Sequence, residues 1–187
     1  MKRNFVLFMM FVLLLGGFSG CSKKEVVLQS PDGRFSVTAP EKWVNLDGQL
    51  NKEASLEVGY SRDLSYIVAL VTPKEDLPIS LEEVRDIVIE GAKEDYNTDD
   101  VGESEKTTVG GLDAYINEFS VPLTNSTQAS AHIWCYTAQT QNYHVVIYAW
   151  TDNRDVKNKF KTIKKVVDSF TEISKENNNL EENTINE

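Results

Sequence analysis

The sequence predicts a mixed α/β domain whose sheet carries helices on both faces, with the element order ββββ-α-ββββ-α. Three observations support this prediction. Eight short segments rich in apolar and β-branched residues are separated by turn residues, as strands are. Two segments repeat apolar residues at spacings of three and four, which indicates a helix at the end of each half. The last two strands are apolar on both faces, which is typical of a sheet covered on each side.

The first half begins with a predicted hairpin. Val26–Ser30 is the first strand, and Arg34–Ala39 is the second. The Pro-Asp-Gly turn at 31–33 joins them, because Pro fixes φ and Gly accepts a positive φ. Ala54–Tyr60 then alternates between apolar and polar residues, whereas Tyr66–Val71 is nearly continuously apolar. We therefore expect the latter strand to be central in the sheet.

A well-marked helix ends the first half. Ser80 and Glu83 form the pattern of a capping box, in which each side chain bonds to the other residue's backbone amide. We expect the helix to begin after Ser80 and to end near Tyr96. Its predicted apolar face consists of Leu81, Val84, Ile87, Val88 and Ala92.

The second half again consists mostly of strands. Glu105–Val109 and Leu112–Pro122 are predicted to form a hairpin through the two glycines between them. Gln128–Ala138 and Tyr143–Trp150 are predicted to form another hairpin around residues 139–142. These strands give the second half the same order as the first, strands and then a helix.

The closing helix is predicted to run from about Asp152 to Phe170, with Asp152 or Asn153 as its cap. Lysines fill its polar face. Its apolar stripe consists of Val156, Phe160, Ile163, Val167 and Phe170. Residues 172–187 are rich in Asn and Glu and are predicted to be a disordered acidic tail.

The first twenty residues have the three parts of a secretory signal. A positive start at residues 1–4 precedes eleven consecutive apolar residues at 5–15, and a small-residue stretch follows. Cys21 comes next, as in a bacterial lipobox, where the thiol receives a diacylglycerol and the leader is cut just before it. Ser19 and Gly20 match that pattern, and Phe18 departs from it.

Two other interpretations of the leader compete with lipidation. An ordinary signal peptide cut elsewhere would leave Cys21 incidental. An uncleaved membrane helix needs about 20 apolar residues, and this run is much shorter. We expect residues 1–20 to be a lipoprotein signal peptide and residues 21–25 a tether carrying palmitate-type chains at Cys21. The protein is then held at the cell membrane, facing outside the cytoplasm.

The charge and the cysteines exclude several classes of protein. The chain has 19 basic and 29 acidic residues, a net charge of −10, and loss of the leader with Lys2 and Arg3 lowers the net charge to −12. That balance argues against a nucleic-acid partner and against attachment to anionic lipids through a basic patch. Cys135 is the only other cysteine, so acylation of Cys21 leaves no disulfide within the chain.

Three local patterns resemble the PsbP-like family, named for an extrinsic subunit of photosystem II. They are the Pro-x-x-Trp at 40–43, the Gly-Leu-x-Ala-Tyr at 111–115 and the Val-x-Ser-Phe at 167–170. The resemblance spans residues 26–171. It implies an α/β/α sandwich with a central antiparallel sheet and a non-catalytic binding or assembly role, and many bacterial relatives are lipoproteins. No ligand residue of the family is carried over to this sequence.

Few residues are candidates for chemistry. Cys135 and His144 are predicted to share a face of the last hairpin, and a nucleophile–base pair competes there with a buried structural thiol and an ordinary strand-end histidine. His132 is predicted on the other face. The acidic stretch at 94–105 offers oxygens for Ca²⁺, but it lacks an ordered calcium loop and is better explained as solvated. The tryptophans, which line a cleft or fill the core, are Trp43, Trp134 and Trp150.

We therefore assign no catalytic, cofactor-binding or metal-binding residue from the sequence, and Cys21 is the one predicted site. The function expected is that of a membrane-anchored, non-enzymatic module that binds or assembles with a protein partner. Its net charge favours a basic protein surface over a polyanion. The alternative is a lipoprotein that binds a small molecule or a metal ion, which requires a pocket with converging polar groups.

Overall fold

The computed structural model describes residues 24–122 and 130–173, and a seven-stranded sheet lies at its centre. In chain order its strands are β3 (Val44–Asn45), β4 (Leu56–Tyr60), β5 (Ser65–Pro73), β6 (Glu105–Val109), β7 (Leu112–Pro122), β8 (Ser130–Gln139) and β9 (Tyr143–Asp152). Across the sheet they lie in the order β3-β4-β5-β9-β8-β7-β6, and every neighbouring pair is antiparallel. The predicted central antiparallel sheet is confirmed.

Two helices and a smaller sheet cover this large sheet. Helix α1 is Leu81–Tyr96, helix α2 is Val156–Asp168, and a short 3-10 helix, Ser61–Asp63, joins β4 to β5. The smaller antiparallel sheet consists of β1 (Glu25–Gln29), β2 (Phe35–Pro40) and β10 (Thr171–Glu172), in the order β1-β2-β10. The order ββββ-α-ββββ-α is therefore present, with the two-residue strands β3 and β10 added to it.

Each face of the large sheet buries its own apolar layer. On one face α2 and β2 pack against it, and Phe35, Trp134, Tyr136 and Phe170 are buried there. On the other face α1 packs on β7, β8 and β9, and the buried layer includes Ile133. Strand β8 contributes to both layers because successive side chains point to opposite faces. This confirms the two-faced apolar strand that the sequence predicts.

The capping box of α1 forms as predicted. The Glu83 backbone N–H donates to Ser80 Oγ at 3.2 Å, and the Ser80 backbone N–H donates to Glu83 Oε2 at 2.8 Å. The helix ends at Tyr96, where Asn97 adopts a left-handed φ of 48° and closes the last turn. The predicted apolar face is confirmed except at Ile87, which is 60% exposed.

Two local predictions are wrong. Helix α2 begins at Val156 rather than at Asp152, because β9 continues through Asp152 and pairs with Ala131. The loop of the last hairpin is shorter than the predicted residues 139–142, since Gln139 still pairs with His144 and the Thr140 N–H donates to Tyr143 O. The predicted faces are correct: Cys135 and His144 share one face of the hairpin, and His132 lies on the other.

The predicted signal peptide, Cys21 and the tail from residue 174 onward lie outside the described residues. The domain itself continues to Ile173, whose N–H donates to Arg34 O at 2.7 Å. None of the helices that the structure describes has the length and apolar character needed to cross a bilayer.

Candidate functional site

A polar cleft opens where the first turn of α2 meets the start of β5. Its volume is about 210 Å³, below the roughly 300–1,000 Å³ that is usual for sites of drug-sized ligands. The residues that line it are Trp43, Asp63, Ser65, Asp155, Asn158, Lys159 and Thr162. The cleft therefore suits a small polar group, such as the head of a side chain or a hydrated ion.

The floor of the cleft is set by the β5–β9 pairing. Tyr66 pairs with Trp150, so continuing the ladder brings Ser65 beside Thr151. Thr151 is fully buried, and its hydroxyl has no hydrogen-bond partner among the described residues. A buried, unpaired hydroxyl is costly, by about 1–3 kcal/mol. The Thr151 hydroxyl is therefore a hydrogen-bonding group without a partner among the described residues, and it lies beside Ser65 of the cleft.

Two of the carboxylates at the cleft lack a counter-ion. Neither Asp63 nor Asp155 forms an ion pair within the described chain, although Asn158 Nδ2 donates to Asp155 Oδ1 at 2.8 Å. The Lys159 ammonium is held instead by Asp152. The free charge at the cleft is therefore negative.

Asp152 anchors this end of the molecule. Its carboxylate forms ion pairs with both Arg154 and Lys159. Burial alone would raise the pKa of its carboxyl, but the hydrogen bonds from Lys159 and Arg154 outweigh burial and hold the pKa below the usual range. Asp152, predicted as a helix cap, therefore acts as the ion-pair partner of the helix that follows it.

One residue on each side of the cleft has a left-handed backbone conformation. Leu64 has a φ of 50° and Asp155 a φ of 56°, and neither is glycine. Asp tolerates this region, whereas for Leu it costs about 1–2 kcal/mol. Such strain persists only where the surrounding contacts hold it in place. The turn at 60–65 and the entry to α2 are thus fixed walls of the cleft.

A second polar group lies on the same sheet face, on β7 and β8. Ser120 Oγ is 3.1 Å from His132 Nδ1, and His132 Nε2 contacts a carboxylate oxygen of Glu118. The sequence prediction placed His132 on this face but did not find its two partners. The signal in the sequence is that Glu118 and Ser120 are two residues apart on β7, so their side chains lie on the same face. The register that joins them depends on the length of the β7–β8 connection, which the sequence pattern leaves open.

This Ser–His–Glu arrangement resembles a hydrolase triad in composition only. A triad also needs backbone N–H groups that face the substrate oxygen, and these occur where the nucleophile sits on a sharp turn. Ser120 lies instead within the paired part of β7, opposite His132. Trp134 packs against the imidazole, with ring centroids 4.7 Å apart. We interpret the group as a hydrogen-bonded surface network.

The structure separates Cys135 from His144. They share a sheet face as predicted, but His144 pairs with Gln139, four residues from Cys135 along β8, or about 13 Å. Burial raises the pKa of the Cys135 thiol to about 12, and a hydrogen bond with Tyr148 offsets this only in part. His144 Nε2 lies 2.9 Å from Leu77 O and tethers that loop. The thiol and the imidazole are therefore both buried and lie too far apart to act on each other as a nucleophile and its base.

The three tryptophans have different environments. Trp134 is in the core, and Trp43 is 4% exposed, with one side toward the cleft. Trp150 lies on the α1 face and packs against Tyr66, with ring centroids 5.4 Å apart. Both Tyr66 and Trp150 remain partly exposed, and Leu64, two residues before Tyr66, is 37% exposed. We call Tyr66 and Trp150 the aromatic surface.

The acidic side chains of the 94–105 stretch are exposed to solvent. Within residues 24–122 and 130–173, no group of three His, Cys, Asp or Glu side chains is arranged to hold a metal ion. In this stretch Val101 instead forms a β-bridge to Phe119, and Gly102 N–H donates to Glu118 O at 2.9 Å. These contacts hold the loop against the β7 side of the large sheet.

Solved structures share this architecture at low sequence identity. The solution structure of cyanobacterial PsbP (CyanoP) from Synechocystis sp. PCC 6803 has a TM-score of 0.58 and 10% identity, covering 85% of this chain and 99% of that chain. The Ran-binding protein Mog1p of Saccharomyces cerevisiae has a TM-score of 0.57 and 13% identity, covering 83% and 98%. A Bacteroides thetaiotaomicron protein has a TM-score of 0.55 and 10% identity, covering 82% and 50%.

The chain therefore has the PsbP-like fold that its local patterns indicate. A comparison of the sequence with models of known families found no match, and neither did a search among curated proteins. The three patterns behind the resemblance occupy structural positions: Pro40 ends β2, Gly110 and Gly111 turn β6 into β7, and Phe170 is buried behind α2.

Proposed function

We propose that this protein is a lipid-anchored, extracytoplasmic module that binds a protein partner and carries out no catalysis. The observation that supports it most is the aromatic surface. Tyr and Trp are enriched where proteins bind one another, because they combine a large apolar area with few rotatable bonds. The fold is consistent with this role, since it also occurs in a protein described as Ran-binding.

The proposed lipid anchor is attached to Cys21. It follows an apolar leader and a Ser-Gly pair, where a lipobox cysteine stands. Metabolic feeding with a labelled fatty acid tests it. We expect label in the mature wild-type protein and none in Cys21→Ser. A Cys135→Ser variant is the matched control, and it should keep the label because the Cys135 thiol is buried.

Partner binding is tested by photo-crosslinking in intact cells. The probe p-benzoylphenylalanine replaces Tyr66 in one variant and Ile87 in the other. Ile87 is a fair control because it is apolar and 60% exposed but lies on α1, whereas Tyr66 lies on β5. We expect a discrete crosslinked protein band from position 66 and none from position 87. Equal crosslinking at both positions, or none at either, would contradict the proposed surface.

The lack of catalysis is tested at the one Ser–His–Glu group in the described chain. A fluorophosphonate probe labels activated serines covalently. We expect no labelling above that of a Ser120→Ala variant, because Ser120 lies within the paired part of β7 and not on a sharp turn. Labelling that depends on both Ser120 and His132 would instead make the protein a hydrolase.

The cleft favours a second candidate function, the binding of a small cation. Asp63 and Asp155, which form no ion pair within the described chain, attract positive charge, and Trp43 also lines the cleft, where an aromatic ring favours an organic cation. An NMR titration with methylguanidinium should shift the amide signals of Ser65 and Thr162, whereas acetate should not. Asp63→Asn should abolish the shifts. Asp113→Asn, an equal charge change at an exposed site, should leave them intact.

A further inference from the structure

The chain enters the domain through a very short tether. Only three peptide units separate Cys21 from Lys24, where the described domain begins. Fully extended, they span at most about 11 Å. A domain of this size has a radius of gyration of about 15 Å. If Cys21 carries the lipid, the beginning of β1 cannot leave the bilayer surface, whichever way the rest of the domain turns.

The surface nearest that entry is an edge shared by both sheets. Among the described strands, β1 pairs only with β2, and β3 is an outer strand of the large sheet. Asn45 Nδ2 donates to Gln29 O at 3.1 Å and joins the two strands. We call β1 and β3 together the β1–β3 edge.

This edge carries exposed apolar side chains. Val27 is 62% exposed and is the most exposed large apolar residue of the described chain, and Val44 is 52% exposed. A single exposed valine on a protein surface needs no explanation. Here, however, two exposed valines lie on the edge that the tether would hold close to the bilayer. The lipid acyl chains can cover these two side chains, whereas exposed apolar residues farther from the tether remain in water.

The charge near the edge also differs from that of the whole protein. Glu41 N–H donates to Lys24 O at 3.0 Å, so Lys24, Glu25, Glu41 and Lys42 lie close together and their charges cancel. The mature chain as a whole is strongly acidic. The edge is therefore a surface that anionic lipid headgroups do not repel, and its long lysine side chains can reach upward to the headgroups.

We propose, on the basis of the lipid anchor proposed above, that the β1–β3 edge lies against the bilayer, with Val27 and Val44 at the headgroup–acyl boundary. The lipid chains supply the attachment, and the edge sets the orientation. The aromatic surface borders this edge, because Val44 pairs with Gly59, Gly59 with Tyr66 and Tyr66 with Trp150 along one row of the large sheet. The acidic 94–105 stretch leads instead into β6, the edge strand opposite β3, and belongs to the part of the domain that is free to turn toward other molecules.

Single-cysteine labelling tests this orientation with the full lipidated protein. The variants are Val27→Cys, Val44→Cys and, as control, Ile87→Cys on α1. The native cysteines do not interfere, because Cys21 is acylated in the proposal and Cys135 is buried with a raised pKa. Each variant carries the fluorophore NBD and is reconstituted in phosphatidylglycerol–phosphatidylethanolamine vesicles that contain headgroup-proximal doxyl quencher lipids.

We expect at least twofold stronger quenching at positions 27 and 44 than at position 87. Equal quenching at the three positions would overturn the orientation. NBD at position 27 that is shielded from water but unaffected by the quencher would also overturn it, and would assign the edge to a second copy of the chain. Intact-mass spectrometry of the same samples separates the two proposals: a mature mass without acyl chains would overturn the anchor, and the orientation with it.

Discussion

The roles of Gly110 and Cys135 are set by the atoms that pack around them. Gly110 is needed because backbone from another element occupies the space of a side chain, and Cys135 is inert because its thiolate cannot be solvated. Neither property can be read from the residue type alone, since both depend on what packs beside it.

The two turn glycines of the β6–β7 hairpin should respond very differently to substitution by Ala. Both have positive φ, but a Cβ on Gly110 would lie 1.9 Å from Phe170 O, whereas a Cβ on Gly111 meets nothing within 4 Å. We expect Gly111→Ala to cost about 1 kcal/mol, the left-handed penalty alone. Gly110→Ala should cost about 3 kcal/mol or more, because overpacking adds to it.

Urea denaturation of the wild type and the two variants measures both losses in the free energy of unfolding. Equal losses for the two variants would show that the Phe170 carbonyl does not lie against Gly110 as described.

The Cys135 thiol makes stability depend on alkaline pH. Its pKa is raised from 9.0 to about 12 in the folded state, so the unfolded chain releases this proton first. The contribution to stability is therefore complete below about pH 9 and is lost as pH rises toward 12, at about 1.4 kcal/mol per pH unit. Buried Tyr136 and Tyr148, whose pKa values are also raised by burial, act in the same direction at higher pH.

The Cys135→Ala variant isolates the contribution of the thiol. Its free energy of unfolding should fall less steeply than that of the wild type between pH 9 and 11, whatever the cost of the smaller side chain at neutral pH. Parallel pH profiles for the two proteins would contradict the raised pKa.

At the scale of elements, the two helices begin in different ways. Helix α1 has a reciprocal capping box, whereas α2 starts from a left-handed Asp155 whose side chain caps no backbone N–H of the helix. The α1 cap could be recognised because all of its atoms lie within four residues. The α2 start was misplaced because β9 pairs as far as Asp152, and that pairing depends on a distant strand.

The α1 cap can be tested by changing one residue. Ser80→Ala should destabilise the domain by about 1 kcal/mol, because the Glu83 N–H loses its acceptor. Ser80→Asp supplies another acceptor and should retain most of the stability. The two variants are compared by thermal and urea unfolding, and equal destabilisation by Ala and Asp would argue against capping as the role of Ser80.

At the scale of the whole molecule, the lipid proposed on Cys21 predicts how the protein is released from a membrane. Because the chain is acidic overall, we do not expect electrostatic attraction to anionic lipids to hold it, so washing with about 1 M NaCl should release none of it and detergent all of it. Cys21→Ser should appear in the soluble fraction without treatment. Release of the wild type by salt alone would show that the attachment is electrostatic.

Much of the fold could be predicted because its signals are local. The hairpins, the capping box and the two-faced strand β8 follow from neighbouring residues and from alternation along a strand. The small strands β3 and β10 were missed because two residues carry no periodic signal. The Ser120–His132–Glu118 group was missed because it depends on a register that the β7–β8 connection does not fix.

The sequence by itself determined the order of the elements, the faces of the strands, and Cys21 as the predicted point of attachment. These depend on local periodicity and on linear motifs. Only the tertiary structure decided that Cys135 and His144 lie apart, that Trp43 and the start of α2 enclose a polar cleft, and that Tyr66 meets Trp150. Those contacts join residues far apart in the chain, and strand pairing and packing set them.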